Sequence, residues 1–115
     1  MSRVLVVDGD DAVRDLVATV LGLAGHEGVA ACSGDEGLAL LDDSIDLVVA
    51  DLRLAGETGL NLLEHVRARR PGLGVVLMTG GGAPERLAEA APETVVLEKP
   101  FSRAALLAAV SAFPR

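Results

Sequence analysis

Four polar residues each follow a short apolar run in this 115-residue sequence: Asp8, Asp51, Thr79 and Lys99. Two neighbouring carboxylates repel each other and offer the all-oxygen ligand set that Mg²⁺ favours. A hydroxyl and an ammonium beside them suit the oxygens of a phosphoryl group. A carboxylate can also act as a nucleophile and form an acyl phosphate. Together these residue types predict phosphoryl chemistry, provided that the fold brings them to one place.

Asp51 closes the run from residue 45 to 51, which is apolar and rich in β-branched residues. Such a run is typical of a strand buried on both faces. In an open α/β sheet, ligands bind in the crevice outside the carboxyl ends of the strands. Aspartates after strands are often only turn or helix-capping residues. Three further strand ends with reactive groups favour a functional role for Asp51.

Apolar runs and turn signals predict five strands that alternate with five helices, the pattern of a parallel sheet covered on both faces. In a doubly wound sheet of order 2-1-3-4-5, the four polar strand ends lie on neighbouring strands. The predicted strands are residues 4–7, 27–32, 45–51, 75–79 and 94–97, and the predicted helices begin near residues 11, 33, 59, 84 and 102. Helical spacing in the first helix predicts an inward apolar face: Val13, Leu16, Val17, Val20 and Leu21.

Length and composition narrow the class of protein. The chain is long enough for one core and too short for two, so we expect a single domain over residues 1–115. A formal charge of −7 argues against direct nucleic-acid binding. The lone cysteine, Cys32, is expected to be a buried small hydrophobe. Neither a signal peptide nor an apolar stretch of transmembrane length is visible, which favours a cytoplasmic protein without a membrane partner.

The chain resembles the receiver domains of two-component response regulators over essentially all of its length. The motifs that carry the resemblance are Val-Leu-Val-Val-Asp8, Asp46-Leu-Val-Val-Ala-Asp51, Val-Leu-Met-Thr79 and Lys99-Pro100-Phe101. The resemblance implies a flavodoxin-like (βα)5 three-layer α/β sandwich with a five-stranded parallel sheet of order 2-1-3-4-5. It also implies a signalling domain that catalyses only its own phosphotransfer and dephosphorylation, and that is not a metabolic enzyme.

The resemblance assigns a role to each strand-end residue. Asp51 would accept the phosphoryl group from a histidine kinase or phosphotransfer protein, while Thr79 and Lys99 would bind its oxygens. Asp8, Asp51 and the backbone carbonyl of Arg53 would hold Mg²⁺. The Lys99–Pro100 bond is expected to be cis. An output domain or partner protein would bind the face formed by the fourth helix, fifth strand and fifth helix.

Gly9 stands where the family usually has a second metal-binding acid. One charge at ~5 Å, with an effective dielectric of about 20, contributes roughly 3 kcal/mol of attraction per unit charge on the metal. Solvent screening reduces this value, and a ten-fold or greater loss of Mg²⁺ affinity is our hypothesis. Asp10 is an alternative ligand, because glycine at position 9 gives the backbone freedom to turn Asp10 inward. Alternatively, Asp10 or Asp11 caps the first helix.

Other departures from the family pattern concern residues that respond to phosphorylation in receivers. Arg53 either contacts the phosphoryl group or is an exposed surface cation. Ala55 replaces a frequent proline, and Val96 lies where many receivers have Tyr or Phe. The segment between Thr79 and Lys99 is compact and leaves a short fourth helix, Pro84 to about Ala90.

Three alternatives to a phosphorylatable receiver stay open. One is a pseudo-receiver, a protein-binding module in which Gly9 and Arg53 have impaired phosphorylation. Another is a haloacid dehalogenase-type phosphatase with Asp8 as nucleophile and Asp10 as acid/base, although that family's later acidic pair is missing. The last, an FMN-binding flavodoxin-like role, lacks a Ser/Thr-rich phosphate loop.

Overall fold

The computed structural model describes residues 2–54, 57–80 and 94–113, and it contains a five-stranded parallel sheet with helices on both faces. The strands are β1 (Arg3–Val7), β2 (Glu27–Ala31), β3 (Leu47–Asp51), β6 (Gly74–Thr79) and β7 (Val95–Glu98). Two short strands, β4 (Arg53–Leu54) and β5 (Glu57–Thr58), form a separate antiparallel ribbon. The sheet order is β2-β1-β3-β6-β7. When only the five long strands are counted, this confirms the predicted order 2-1-3-4-5.

Four helices lie in the described part of the chain: α1 (Asp11–Leu23), α2 (Gly34–Leu40), α3 (Gly59–Arg69) and α4 (Arg103–Ser111). The hydroxyls of Ser33 and Ser102 cap α2 and α4, as predicted, by accepting backbone N–H groups of the first turn. Gly25 follows α1 with a φ of 88°, a conformation that glycine adopts without steric cost. The predicted fourth helix, residues 84–90, and Ala55 lie outside the described residues.

Side chains of the central strands alternate between two hydrophobic clusters. Leu5 and Val7 of β1 belong to the cluster that includes Leu62 and Val66 of α3. Val4 and Val6 belong to the opposite cluster, which contains the buried residues of α1 and α4. Because alternate residues of a strand face opposite sides of the sheet, continuous apolar runs fill both clusters. The apolar run that the sequence shows in β1 is therefore explained by burial on two faces.

The amino edge of the sheet is joined to the helices by arginine side chains. Arg69 donates from Nη1 to the Leu38 carbonyl at 2.8 Å. Arg70 donates from its own Nη1 to the carbonyls of Asp42 at 2.7 Å and Ile45 at 3.1 Å. Arg69 ends α3 and Arg70 follows it, and their side chains satisfy carbonyls at the end of α2 and in the loop before β3. Charged donors thus replace the hydrogen bonds that an irregular segment lacks.

Two predictions about burial were wrong. Cys32 is exposed, because β2 ends at Ala31 and the next residue already belongs to the turn into α2. Leu16 is 53% exposed, because the inward face of α1 is centred on Val17, Val20 and Leu21. Within the described residues, no helix combines the length and apolar character needed to cross a bilayer.

Candidate functional site

Lys99 lies between two acids at the carboxyl edge of the sheet. Its Nζ is 3.0 Å from Oδ2 of Asp8 and 3.5 Å from Oδ1 of Asp51. The side chain of Asp8 is 1% exposed, that of Asp51 14% and that of Lys99 22%. The structure therefore brings together three of the four residues that the sequence predicted to meet. One cation is shared by two largely buried carboxylates.

The strand register places these three groups on the same side of the sheet. Val7 pairs with Ala50, so Asp8 and Asp51 occupy the next positions of neighbouring strands. Both continue the alternation that directs Val6 and Val49 into the cluster beneath α1 and α4. Lys99 extends β7, and its backbone N–H donates to the Thr79 carbonyl at 2.6 Å. The Lys99–Pro100 peptide bond is cis, as predicted.

Thr79 ends β6 and is buried, with 4% of its surface exposed. It pairs with Glu98 of β7, while its predecessor Met78 pairs with Asp51. These pairings place Thr79 on the strand between those that carry Asp51 and Lys99. The predicted role of Thr79 in binding phosphoryl oxygens stays a prediction.

The loop after β1 orients the carboxylate of Asp8. The backbone N–H of Asp10 donates to Asp8 Oδ1 at 2.8 Å, and the N–H of Asp8 itself donates to the Ala31 carbonyl at 3.1 Å. Asp10 caps α1, because its Oδ1 accepts the N–H groups of Ala12 at 2.9 Å and Val13 at 3.4 Å. The capping alternative is therefore confirmed, and metal ligation by Asp10 would compete with this cap.

Arg14 is a residue of this site that sequence analysis missed. Its Nη1 donates to the backbone carbonyl of Asp8 at 2.7 Å, and its Nη2 pairs with the carboxylate of Asp11. The spacing of three residues on a helix signals the pair with Asp11. The bond to the Asp8 carbonyl has no comparable signal, because it depends on how the loop turns before α1.

Burial raises the pKa of Asp51 above its ordinary value of 3.8, and the negative charge of Asp8 raises it further. Lys99 and a hydrogen bond from the backbone N–H of Arg53 oppose this increase. Removal from water disfavours the charged form of a carboxyl group, and a like charge nearby does the same. The Arg53 side chain is exposed, as one of the two alternatives for it proposed. The carboxylate of Asp51 is thus held in surroundings that make its negative charge unfavourable.

The donor set fits a Mg²⁺ ion with few protein ligands. Asp8, Asp51 and the carbonyl of Arg53 would supply three oxygens, and Mg²⁺ commonly keeps several waters and takes the rest from phosphate. Gly9 adds no ligand. The described residues include no group of three or more His, Cys, Asp or Glu side chains arranged to hold a metal. Gly9 is exposed, and a Cβ built on it would be 3.9 Å from the Cys32 carbonyl, an ordinary van der Waals distance.

An apolar groove adjoins the site where α1 faces the segment after β7. Its lining residues are Val13, Leu16, Gly80, Lys99, Pro100 and Phe101. Leu16, which the helical pattern directed inward, supplies part of this surface. The groove brings an exposed apolar surface next to the lysine that contacts both acids.

The sequence and the structure both match one family. Residues 4–111 match the family described as the response regulator receiver domain. The response regulator protein FleR of Pseudomonas aeruginosa is 39% identical over 109 residues, which cover 92% of this chain and 23% of that protein. The transcriptional regulatory protein FixJ of Azorhizobium caulinodans is 38% identical over 113 residues, covering 93% of this chain and 52% of its own.

Solved structures show the same relationship. The chemotaxis protein CheY4 of Vibrio cholerae superposes with a TM-score of 0.90 at 28% identity, over 99% of both chains. The receiver domain of NtrX from Brucella abortus gives 0.86 at 35% identity, over 95% of both chains. The chain belongs to the response-regulator receiver family and has its flavodoxin-like fold. It spans about a quarter of the length of FleR and half that of FixJ.

Proposed function

We propose that this chain is a phosphorylatable receiver of a two-component pathway, in which Asp51 accepts a phosphoryl group and thereby switches a protein-interaction surface. The donor would be a histidine kinase or a phosphotransfer protein. The observation that supports this most directly is the position of Lys99, within 3.0 Å of Asp8 and 3.5 Å of Asp51. A purely structural ion pair needs one acid, whereas a phosphoryl site needs an acceptor, a cation site and an ammonium.

In the proposed reaction a carboxylate oxygen of Asp51 forms a bond to phosphorus, and the bond between phosphorus and the donor's nitrogen or oxygen breaks. The donor leaves with the electron pair of that bond. The transferred group brings new negative charge to the pocket, so the Lys99 ammonium pairs with its oxygens and neutralises that charge. The hydroxyl of Thr79 would donate to another oxygen. Asp8, Asp51 and the Arg53 carbonyl would hold Mg²⁺, which would supply further charge stabilisation to the transferred group.

The chain also has wider proposed roles in signalling. It acts as a signalling domain that catalyses its own phosphotransfer and dephosphorylation, rather than as a metabolic enzyme. One partner is the phosphodonor protein. The other is an output domain or protein that would bind the face formed by the predicted helix at residues 84–90, strand β7 and helix α4. Because the chain has a formal charge of −7, we do not expect nucleic acid to be a direct partner. We place the domain in the cytoplasm, where small phosphodonors and kinases are available.

Incubation with Mg²⁺ and acetyl phosphate tests the proposal. Intact-mass spectrometry should show the addition of one phosphoryl group, which disappears in Asp51→Asn and on chelation of the metal. Asp51→Asn is the matched control because it keeps the size of the side chain and removes the nucleophile. Phosphoryl addition that persists in Asp51→Asn would contradict the proposal, as would a parent chain that is never modified under any donor.

A pseudo-receiver is the second candidate, and Gly9 is the observation that favours it. Gly9→Asp decides between the two, because Gly9 is exposed and a Cβ at this position makes no close contact. If the chain is a receiver with a weakened metal site, the variant should bind Mg²⁺ about ten-fold more tightly and be phosphorylated at lower Mg²⁺. If the parent chain stays unmodified and only Gly9→Asp gains phosphorylation, the pseudo-receiver is correct. The phosphatase alternative requires a free Asp10, whose carboxylate instead caps α1.

A further inference from the structure

The geometry points to Arg14 as a positioning residue that holds the loop from Asp8 to Asp10, and with it the metal-binding carboxylate of Asp8. This inference rests on the proposed function, since it concerns the cation site of that reaction. Within the described residues, Arg14 forms its hydrogen bonds and ion pair with Asp8 and Asp11, and not with Asp51 or Lys99. It acts on the site through the backbone of the loop.

Arg14 contacts the first residue of this loop and the first residue of α1, which follows it. Nη1 donates to the carbonyl of Asp8 at 2.7 Å, and Nη2 pairs with the carboxylate of Asp11. The Arg14 side chain is 16% exposed, whereas that of Asp11 is 86% exposed. A guanidinium has several donors in a rigid plane, so it can bind two acceptors at once, which an ammonium on a flexible chain does less well.

Gly9 makes this contact more important than it would be in a loop with a side chain there. Glycine loses more backbone freedom on folding than any other residue, and no packed side chain holds position 9. The loop is otherwise fixed by the bond from Asp8 N–H to Ala31 and by the bond from Asp10 N–H to Asp8 Oδ1. That second bond orients the Asp8 carboxylate. Its geometry depends on the backbone between the two residues, which Arg14 restrains.

The simpler explanation is that Arg14 only forms a surface ion pair with Asp11. Exposed pairs of this kind contribute little or nothing measurable to stability. The two explanations differ in which partner matters. If the bond to the Asp8 carbonyl is the important one, loss of Asp11 should change the metal site little, whereas loss of Arg14 should change it strongly.

The test uses the unphosphorylated chain and NMR titration with Mg²⁺ alone, comparing Arg14→Met, Arg14→Lys and Asp11→Ala. Groups that orient metal ligands typically change metal affinity by 10- to 100-fold, and we expect about a ten-fold loss in Arg14→Met. Arg14→Lys should recover part of it, and Asp11→Ala should lose less than two-fold. Amide exchange of Gly9 and Asp10 should become faster in Arg14→Met, while exchange in β1 stays slow. Unchanged Mg²⁺ affinity and exchange in Arg14→Met would overturn the inference, as would an equal effect of Asp11→Ala.

A double-mutant cycle with Gly9→Ala isolates the mechanism. Alanine fits at position 9 and restricts the backbone that Arg14 is inferred to restrain. Arg14→Met should therefore cost about three-fold less in Mg²⁺ affinity in the Gly9→Ala background than in the parent chain. Equal costs in both backgrounds would contradict the inference. If the parent chain binds no Mg²⁺, the proposed function fails, and the amide exchange rates of Gly9 and Asp10 alone decide the role of Arg14.

Discussion

The two edges of the sheet use charge in opposite ways. At the amino edge, Arg69 and Arg70 donate to backbone carbonyls, and hydrogen bonds from Ser44 lower the pKa of Asp42. At the carboxyl edge, two acids share one lysine, and burial raises the pKa of Asp51. The guanidinium groups of Arg69 and Arg70 at the first edge have backbone carbonyls as partners. At the carboxyl edge, the single positive charge of Lys99 does not balance the two negative charges of Asp8 and Asp51.

The charged groups of the amino edge therefore stabilise the fold, whereas those of the carboxyl edge form the candidate site at a cost in stability. Arginine bonds to carbonyls at the amino edge join helices to the loop before β3 and favour the folded state. The carboxyl edge holds a pair of like charges near each other, which costs stability until a further cation or a change of protonation relieves it. Functional sites commonly retain such unfavourable arrangements because binding needs them.

Removal of the shared cation should produce the largest effect on stability. Lys99→Met keeps most of the side-chain volume but leaves Asp8 and Asp51 facing each other. Breaking a buried pair by removing one partner costs about 3–5 kcal/mol, and partial exposure of Lys99 places the expected loss near ~3 kcal/mol. Urea unfolding at pH 7 measures it. Asp51→Asn in the same chain should recover a large part of the loss, and no recovery would show that charge repulsion is not its cause.

At the amino edge, Arg70→Met should have a smaller effect. The carbonyls of Asp42 and Ile45 lose a charged donor, and water can replace only the more accessible one. We expect a loss of about 1–2 kcal/mol in the free energy of unfolding. Arg103→Met, at an exposed position in the first turn of α4, is the control and should change stability by less than about 0.5 kcal/mol. Equal effects of the two substitutions would remove the contrast between the edges.

The smallest effect concerns the pH dependence of Asp51. Because its pKa is raised in the folded state, the proton binds more tightly there, and the favourable contribution of protonated Asp51 is lost as the pH rises through the raised value. Asp51→Asn should therefore have a Tm a few degrees above that of the parent chain at pH 7. The difference should shrink as the pH falls through the raised pKa toward 3.8. Thermal unfolding of both proteins across this range measures it, and a parent chain more stable than the variant at pH 7 would show that burial does not penalise the charge.

The sequence predicted the fold and the central contacts of the site because both depend on the alternation of strands and helices along the chain and on where the apolar runs end. Apolar runs marked the strands, and the polar residue that ended each run located the carboxyl edge. Asp8, Asp51 and Lys99 meet because parallel strands end together, which requires no knowledge of loops. The helix boundaries also followed local signals such as Ser102, which caps α4 as predicted.

Features that depend on how loops turn were not predictable in the same way. Cys32 continues an apolar run in the sequence, but the strand ends one residue earlier and leaves the thiol exposed. Leu16 has helical spacing, but its place at the margin of the inward face depends on how α1 rotates against the sheet. The bond from Arg14 to the Asp8 carbonyl depends on the path of the loop from Asp8 to Asp10 between β1 and α1. The β4–β5 ribbon comprises two pairs only, too few to leave a periodic pattern.

The shared side of Asp8, Asp51 and Lys99 has a consequence for sequence change in this chain. Successive residues of a strand face opposite sides, so insertion or deletion of one residue in β1, β3 or β7 would turn one of these groups towards α2 and α3. Two-residue changes would preserve the facing but move the group along the strand by about 7 Å. Length within these three strands is therefore as strict a requirement as residue identity. A library that varies strand length should yield folded chains far more often than chains with an intact pocket.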